Sequence, residues 1–421
     1  MRYYRRDRGL VSVRDLALPG LLVALLLAYA TATAFVAYRQ AWAIESFHTG
    51  VFAIITAACF IPEFRLFEPA GQRLRAVAFL CLAGIPAWGV VQLLLARTVS
   101  PAETRSAVLR WAALVAVFFL VRGIVFRSRV RHAFLDLFLW FATALAVLCV
   151  LQLFSSEGRV LWIFDTGYPE IYGTIPSRNH YAQFVELALP VALWRALYDR
   201  RRSFWYALAA GTLYASAIGS ASRAGAILCT VELLLFLVVG LVRLRNDEEG
   251  SRAGAAILAL VPAVGLVFTL VVGWERVWVR FQDQDPYFVR REFLTAAVEM
   301  AKTRPGMGYG LGTFPAVYQR YAIKDFPFWA NQAHNDWAQF AAEGGVPFLL
   351  LVGIPFLGAI RSAVRHPWGL GLVAVLLHAC VDYPFPREAI SCWMFALLGA
   401  LYAAQTEKTG YASSAQPAFR G

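Results

Sequence analysis

The strongest constraint on this chain is a repeated pattern of apolar runs, each about 20 residues long, broken by short clusters of arginine. A run of that length crosses the ~30 Å hydrocarbon core of a bilayer as a helix, which satisfies its backbone polar groups within the segment. Of 421 residues, 59% are hydrophobic and only 16% are charged, with mean hydropathy +0.56. A soluble domain is about one half apolar and one quarter charged. The pattern therefore predicts an all-α integral membrane protein with about twelve transmembrane helices. The expected spans are 16–36, 47–61, 76–96, 107–126, 133–154, 181–198, 205–219, 224–242, 254–273, 346–360, 369–381 and 390–404.

Charge gives the orientation. Arg73 and Arg75, Arg127 to Arg131, Arg200 to Arg202, and Arg361 with Arg365 fall in alternate loops. The positive-inside rule assigns those loops, and both termini, to the cytoplasm. The expected layout is a basic N-terminus (1–15), spans 1–9 (16–273), a large outer loop (274–345), spans 10–12 (346–405) and a cytoplasmic tail (406–421). The start MRYYRRDRGLVSVRD feeds directly into a full-length apolar run, as in an uncleaved anchor. A net charge of +12 would suggest nucleic acid in a soluble protein. Here loop arginines account for it, and no basic strip interleaved with aromatics argues for a nucleic-acid partner. Six cysteines lie in apolar runs with no CxxC pair, so they are expected to pack rather than bind zinc or form disulfides.

The chemistry-bearing residues gather on the outer side. In the long polar segment, YFVRREFLTAAVEMAK (287–302) has apolar residues at helical spacing. GMGYGLGTF follows; it is neither a dinucleotide fingerprint nor a P-loop, and its glycines allow a turn or a close backbone approach. Within WANQAHNDWAQFAAEGG (329–345), Asn331 to Ala342 predicts a helix that puts His334, Trp337, Ala338 and Ala341 on one face, and the segment stops at Gly344-Gly345. His334 there is either a packed structural residue or a base oriented by Asn335 and Asp336. An imidazole titrates near neutrality and suits proton abstraction from a hydroxyl. Arg223 (in SASRAG), Arg290 and Arg291 are either snorkelling or solvated cations, or guanidinium forks for phosphate. IYGTIPSRNHYAQF adds Arg178, Asn179 and His180, with His180 a second candidate base and Ser177 a candidate helix cap. Asp283 and Asp285 form a DxD without further carboxylates, which favours solvated loop charges over a metal site. His378 and Asp382 near the end of span 11 are placed to pair inside the bundle, with a role either in packing or in the site.

Taken in order, these segments resemble the O-antigen ligase and polymerase superfamily of membrane glycosyltransferases. Ligases of this group carry a His, ten residues, then Gly, matched by His334 to Gly345. They carry an Arg, three residues, then Leu; here Arg223 is followed at that place by Ile227. GTIPSRNHYA, GMGYGLGTF and HACVDYP are similar to further family segments, and the second of these favours Arg290 over Arg291. The resemblance implies a GT-C-like helical bundle with a large periplasmic loop carrying short helices between spans 9 and 10, in the bacterial inner membrane. It implies a glycan donor on undecaprenyl pyrophosphate and an acceptor hydroxyl on lipid A-core. His334 would be the base, and Arg223 and Arg290 would hold the pyrophosphate. Arg178, Asn179, His180, Arg291, Asn335 and Asp336 would line the substrate site. Neither metal nor cofactor is expected, and transfer would invert the anomeric carbon. The alternatives left open are a polymerase that extends a lipid-linked glycan, a protein O-glycosyltransferase, and a non-enzymatic transporter of the same lipid-linked glycan.

Overall fold

A computed structural model describes residues 13–37, 40–60, 64, 73–167, 171–199, 201–246, 259–272, 282, 287–324, 326–327 and 329–413. Asp283 and Asp285, most of the basic N-terminus and the loop after Arg245 lie outside the described residues. The described chain is almost entirely helical: α1 (Val13–Ala32), α2 (Ala34–Ala37), α3 (Ala41–Ala58), α4 (Arg73–Leu94), α5 (Pro101–Ile124), α6 (Ser128–Ser155), α7 (Arg178–Tyr198), α8 (Ser203–Gly219), α9 (Arg223–Arg245), α10 (Leu260–Val272), α11 (Phe288–Thr303), α12 (Phe314–Tyr318), α13 (Asp336–Arg365), α14 (Leu370–His378) and α15 (Glu388–Ser413). A two-stranded hairpin, Arg159–Val160 with Phe164–Asp165, interrupts them.

The described part of each expected span falls on these helices, the first across α1 and α2; residues 254–258 and 273 of the ninth lie outside the described residues. Among the described residues, α3, α4, α5, α6, α9, α13 and α15 are long and apolar enough to cross a membrane, and α1 and the 367–378 segment are shorter apolar helices. The second span begins earlier than expected, at Ala41 rather than residue 47, and the last helix runs past residue 405 to Ser413. The 367–378 segment is about 18 Å of helix, shorter than a bilayer core. It is held inside the bundle by His378, whose Nδ1 lies 2.7 Å from Glu186 on α7, with both side chains almost fully buried. The sequence suggested that His378 pairs with Asp382. Asp382 lies one turn beyond His378, the last residue of α14, and turns instead toward Arg290 on α11.

The two ends of the bundle differ in chemistry. At one end, Arg75 donates to the Gln405 carbonyl, Arg195 pairs with Asp136 at 2.7 Å, and Arg243 donates to the Leu197 carbonyl. These residues lie on the helix turns next to the arginine-rich loops. The starts of α7, α9, α13 and α15 meet at the other end. Between the two ends, 94% of the apolar stretch of α15 and 78% of that of α5 is buried, so these helices form the centre; α3, at 22%, is peripheral.

α13 is two helices joined at a kink. Gly345 has φ +70°, and a side chain there would sit 2.6 Å from the Pro305 carbonyl oxygen. The expected stop at Gly344-Gly345 is thus a bend into the tenth span. The bend frees backbone carbonyls in an apolar setting, where each needs a donor. Ala342 O accepts from Tyr309 N, Glu343 O from Gly310 N and Gln92 Nε2, and Gly344 O from Trp88 Nε1. The Glu343 carboxylate accepts from Gly312 N and Phe314 N. The glycine-rich segment therefore approaches another part of the protein closely: Gly308 has φ +66°, and a Cβ there would lie 2.3 Å from the Glu343 backbone. Gly308→Ala is expected to destabilise the detergent-purified protein by about 2 kcal/mol or more through steric clash and left-handed strain. Gly306→Ala, where a Cβ meets nothing within 4 Å, stays within about 0.5 kcal/mol. Thermal unfolding of the two variants side by side checks the difference.

Candidate active site

Three helices that begin at the site each carry an arginine in the first turn and no acidic residue there. Arg178 opens α7, Arg223 opens α9, and Arg290 lies in the first turn of α11. A helix N-terminus carries about half a positive charge, so a cation there costs roughly 0.3–1 kcal/mol and an anion is favoured. All three arginines line one pocket of about 430 Å³ with Asn179, Ala221, Ala224 and Tyr287. The Tyr287 ring meets both the Arg223 guanidinium (5.6 Å) and the Arg290 guanidinium (5.8 Å). Ser222 caps α9 by accepting from Gly225 N and donates to Asn179 Oδ1 at 3.0 Å, which ties the starts of α7 and α9 together. Ser177, a candidate cap, occupies that position at α7 without a capping hydrogen bond from its side chain.

His334 stands beside this pocket. It does not share a helical face with Trp337 and Ala338, as its spacing suggested. The helix starts at Asp336, because the Asn335 side chain accepts from Ala338 N and closes the N-terminus there. His334 itself has φ +53°, a left-handed conformation that costs a non-glycine residue of order 1–2 kcal/mol. Strain of this kind concentrates at functional sites. The imidazole is held on several sides: Nδ1 lies 3.2 Å from Asp382 Oδ1, the Tyr383 ring meets it edge-on at 4.7 Å, and Phe293 lies parallel at 6.0 Å. About a quarter of its side chain is exposed. With Nδ1–H donated to a carboxylate, Nε2 holds the lone pair, as in other base–carboxylate pairs.

Asp382 is the residue that sequence reading missed as a site residue. Its side chain is 1% exposed. One oxygen faces His334, and the other faces Arg290 at 3.5 Å, an ion pair without hydrogen-bond geometry. Arg290 also donates to the Val381 carbonyl at 2.9 Å. Burial alone would raise the carboxyl of Asp382. The His334 hydrogen bond and the His180 and Arg290 charges outweigh it and hold the group well below the usual carboxylate range. The segment HACVDYP contains Asp382 and Tyr383, but nothing in its spacing says which helix it would meet.

The other expected contacts divide by position. Asn335 donates to the Cys380 carbonyl and Asp336 N to the Ala379 carbonyl, so both fasten the loop that carries Asp382. Asp336 is fully buried and accepts from Phe385 N. His180 is 1% exposed, with its ring edge-on to Tyr383 at 4.7 Å. Arg291 lies on the exposed side of α11.

Residues 207–353 match the family model described as O-antigen ligase. That match supports membership of the O-antigen ligase and polymerase superfamily, and it spans Arg223, Arg290 and His334. Comparison with curated proteins gives no match.

The depressed Asp382 group has a definite pH signature. Its stabilising contribution is fully present above the unfolded carboxyl value, about 3.9, and is lost as pH falls toward the lower folded value. Asp382→Asn should therefore lower stability at pH 7 by on the order of 2 kcal/mol. Melting temperatures of wild type and variant should differ by a constant amount from pH 7 to about pH 4 and begin to approach each other only below that.

Proposed function

We propose that this chain is an O-antigen ligase-type glycosyltransferase. It moves a glycan from undecaprenyl pyrophosphate to a hydroxyl of lipid A-core at the periplasmic face of the bacterial inner membrane. The observation that carries the reading is a pocket of three helix-start arginines next to a carboxylate-held imidazole. A pyrophosphate is the anion that such a pocket suits: it carries charge on two adjacent phosphates, and guanidinium forks bind phosphate oxygens in pairs.

The chemistry follows from the placement. His334 Nε2 takes the proton of the acceptor hydroxyl. The freed oxygen lone pair attacks the anomeric carbon from the side opposite the pyrophosphate. The bond from that carbon to the pyrophosphate oxygen breaks, and the leaving lipid pyrophosphate keeps the electron pair. Arg178, Arg223 and Arg290 are placed to stabilise the charge that builds on it, in a partly enclosed site where fixed cations act strongly. Asp382 stabilises the imidazolium formed in the same step. One displacement inverts the anomeric carbon. The arginines supply the charge stabilisation that a metal ion would otherwise give, so transfer is metal-independent.

The O-antigen ligase and polymerase superfamily supports a polymerase equally well, with a second lipid-linked glycan as acceptor. The two are separated by the acceptor alone. With purified protein, undecaprenyl-pyrophosphate glycan and EDTA, transfer to lipid A-core identifies a ligase. Extension of the donor without lipid A-core identifies a polymerase. His334→Ala is expected to lower kcat by about 10³-fold or more, because the general base and its positioning are lost together. Arg223→Ala and Arg290→Lys are expected to raise donor KM and lower kcat by about 10–100-fold each. Transfer that survives in His334→Ala at more than a tenth of the wild-type rate would overturn the assignment of the base.

A further inference from the structure

A second cavity lies on the same end of the bundle, between α1–α3 and the start of α15, with about 790 Å³ of empty space counted out to its open mouth. One wall is apolar and made of small residues and one ring: Ala34, Ala37, Ile44 and Phe47. The other wall carries Arg110, Gln332, Arg387 and Glu388, with His180 at its base-side edge. We propose that this cavity is the acceptor site, and that it takes the hydroxyl-bearing sugar head of an amphiphile. The proposal rests on the transfer reading above and names the subsite which that reading lacks.

Three observations carry it. The first is the chemistry of the polar wall. The arginine pocket offers guanidiniums and an amide, a set suited to a polyanion. The second cavity sets a carboxylate and an amide among its guanidiniums, so it presents both donors and acceptors, as a sugar hydroxyl requires. Arg110 Nε is buried there with no hydrogen-bond partner among the described residues, a donor left for a ligand oxygen.

The second observation is position. Gln332, in the polar wall, is two residues before His334. His180 meets the Tyr383 ring at 4.7 Å, and Tyr383 meets His334 at the same distance. Arg387 donates to the Tyr383 hydroxyl at 3.3 Å. Asp382 and Tyr383 are adjacent, so His334 is joined to the lining of the arginine pocket through Asp382 and Arg290, and to the lining of the second cavity through Tyr383, which meets His180 and Arg387. A base that lies between two cavities is what a two-substrate displacement needs.

The third is access. The helices of the apolar wall expose Leu21, Leu22, Leu25 and Trp42, each more than 40% accessible. Side chains of this kind face lipid, and an amphiphile held in the bilayer reaches the cavity by sliding along them.

The test uses the full chain in nanodiscs, with acceptor and donor titrated separately. Ile44→Trp and Ala37→Trp, on two different helices, fill the cavity from its apolar wall. Each is expected to raise acceptor KM at least tenfold and to change donor KM by less than twofold. An unchanged acceptor KM in properly folded variants, or an equal rise in donor KM, overturns the proposal. A second measurement does not need turnover: a photo-reactive residue at position 44 of the otherwise wild-type chain, offered radiolabelled lipid A-core or a lipid-linked disaccharide. Labelling without donor is expected, and the probe that labels identifies the source of the sugar head. No labelling by either overturns the site. Labelling with no transfer to any acceptor keeps the cavity as a glycolipid site and sinks the transferase reading instead.

Discussion

The site depends on one buried carboxylate. Asp382 is nearly inaccessible, yet it faces a base on one side and a cation on the other. A buried negative charge is tolerated only when it is paired and hydrogen-bonded, and removal of one partner leaves the rest costly. His334 and Arg290 are therefore held relative to each other by a constraint neither sets alone. The loop bearing Asp382 is fastened by Asn335 and by the backbone N–H of Asp336, residues that also start the helix following His334. The imidazole, the guanidinium and the carboxylate that joins them form one connected unit built from three distant parts of the chain.

The arginine pocket uses a different principle. Each of its guanidiniums sits where a helix dipole would rather have an anion. Natural helices place cations at the other end, so three such starts in one pocket carry a local cost to stability, part of which Asp382 offsets at Arg290. The Tyr287 ring meets two of the guanidiniums and offers them its electron-rich face, which softens the cost without neutralising the charge.

The scaffold beneath is an interlock. The kink of α13 frees carbonyls that the glycine-rich segment and Gln92 satisfy, and Glu343 in turn collects amides of that segment. This lets a helix bend inside an apolar environment and sets His334 and the tenth span on either side of a fixed angle. Sequence reading left the glycines open between a turn and a close approach. The structure shows a close approach, made to the protein's own backbone at α13.

The sequence by itself determined the helical class, because apolar run length against bilayer thickness leaves few other folds. It determined the helices near their observed places, and the segregation of loop arginines from the polar segment that carries His334. It also marked Arg178, Asn179, Arg223 and Arg290, because they lie at the span ends away from the arginine-rich loops, on the side of the polar segment that carries His334. It did not determine where His334 points, since a capping asparagine overrode the apolar spacing and began the helix at Asp336, two residues past His334. It could not supply Asp382 as the partner of His334, because that pairing joins positions 48 residues apart, and Asp382 was instead assigned to the nearby His378. Nor could it show that His378 pairs with Glu186, 192 residues away. Periodicity and span length are local properties, legible along the chain. Which buried charge meets which is decided by how helices pack, because only the packed bundle makes an unpaired charge expensive.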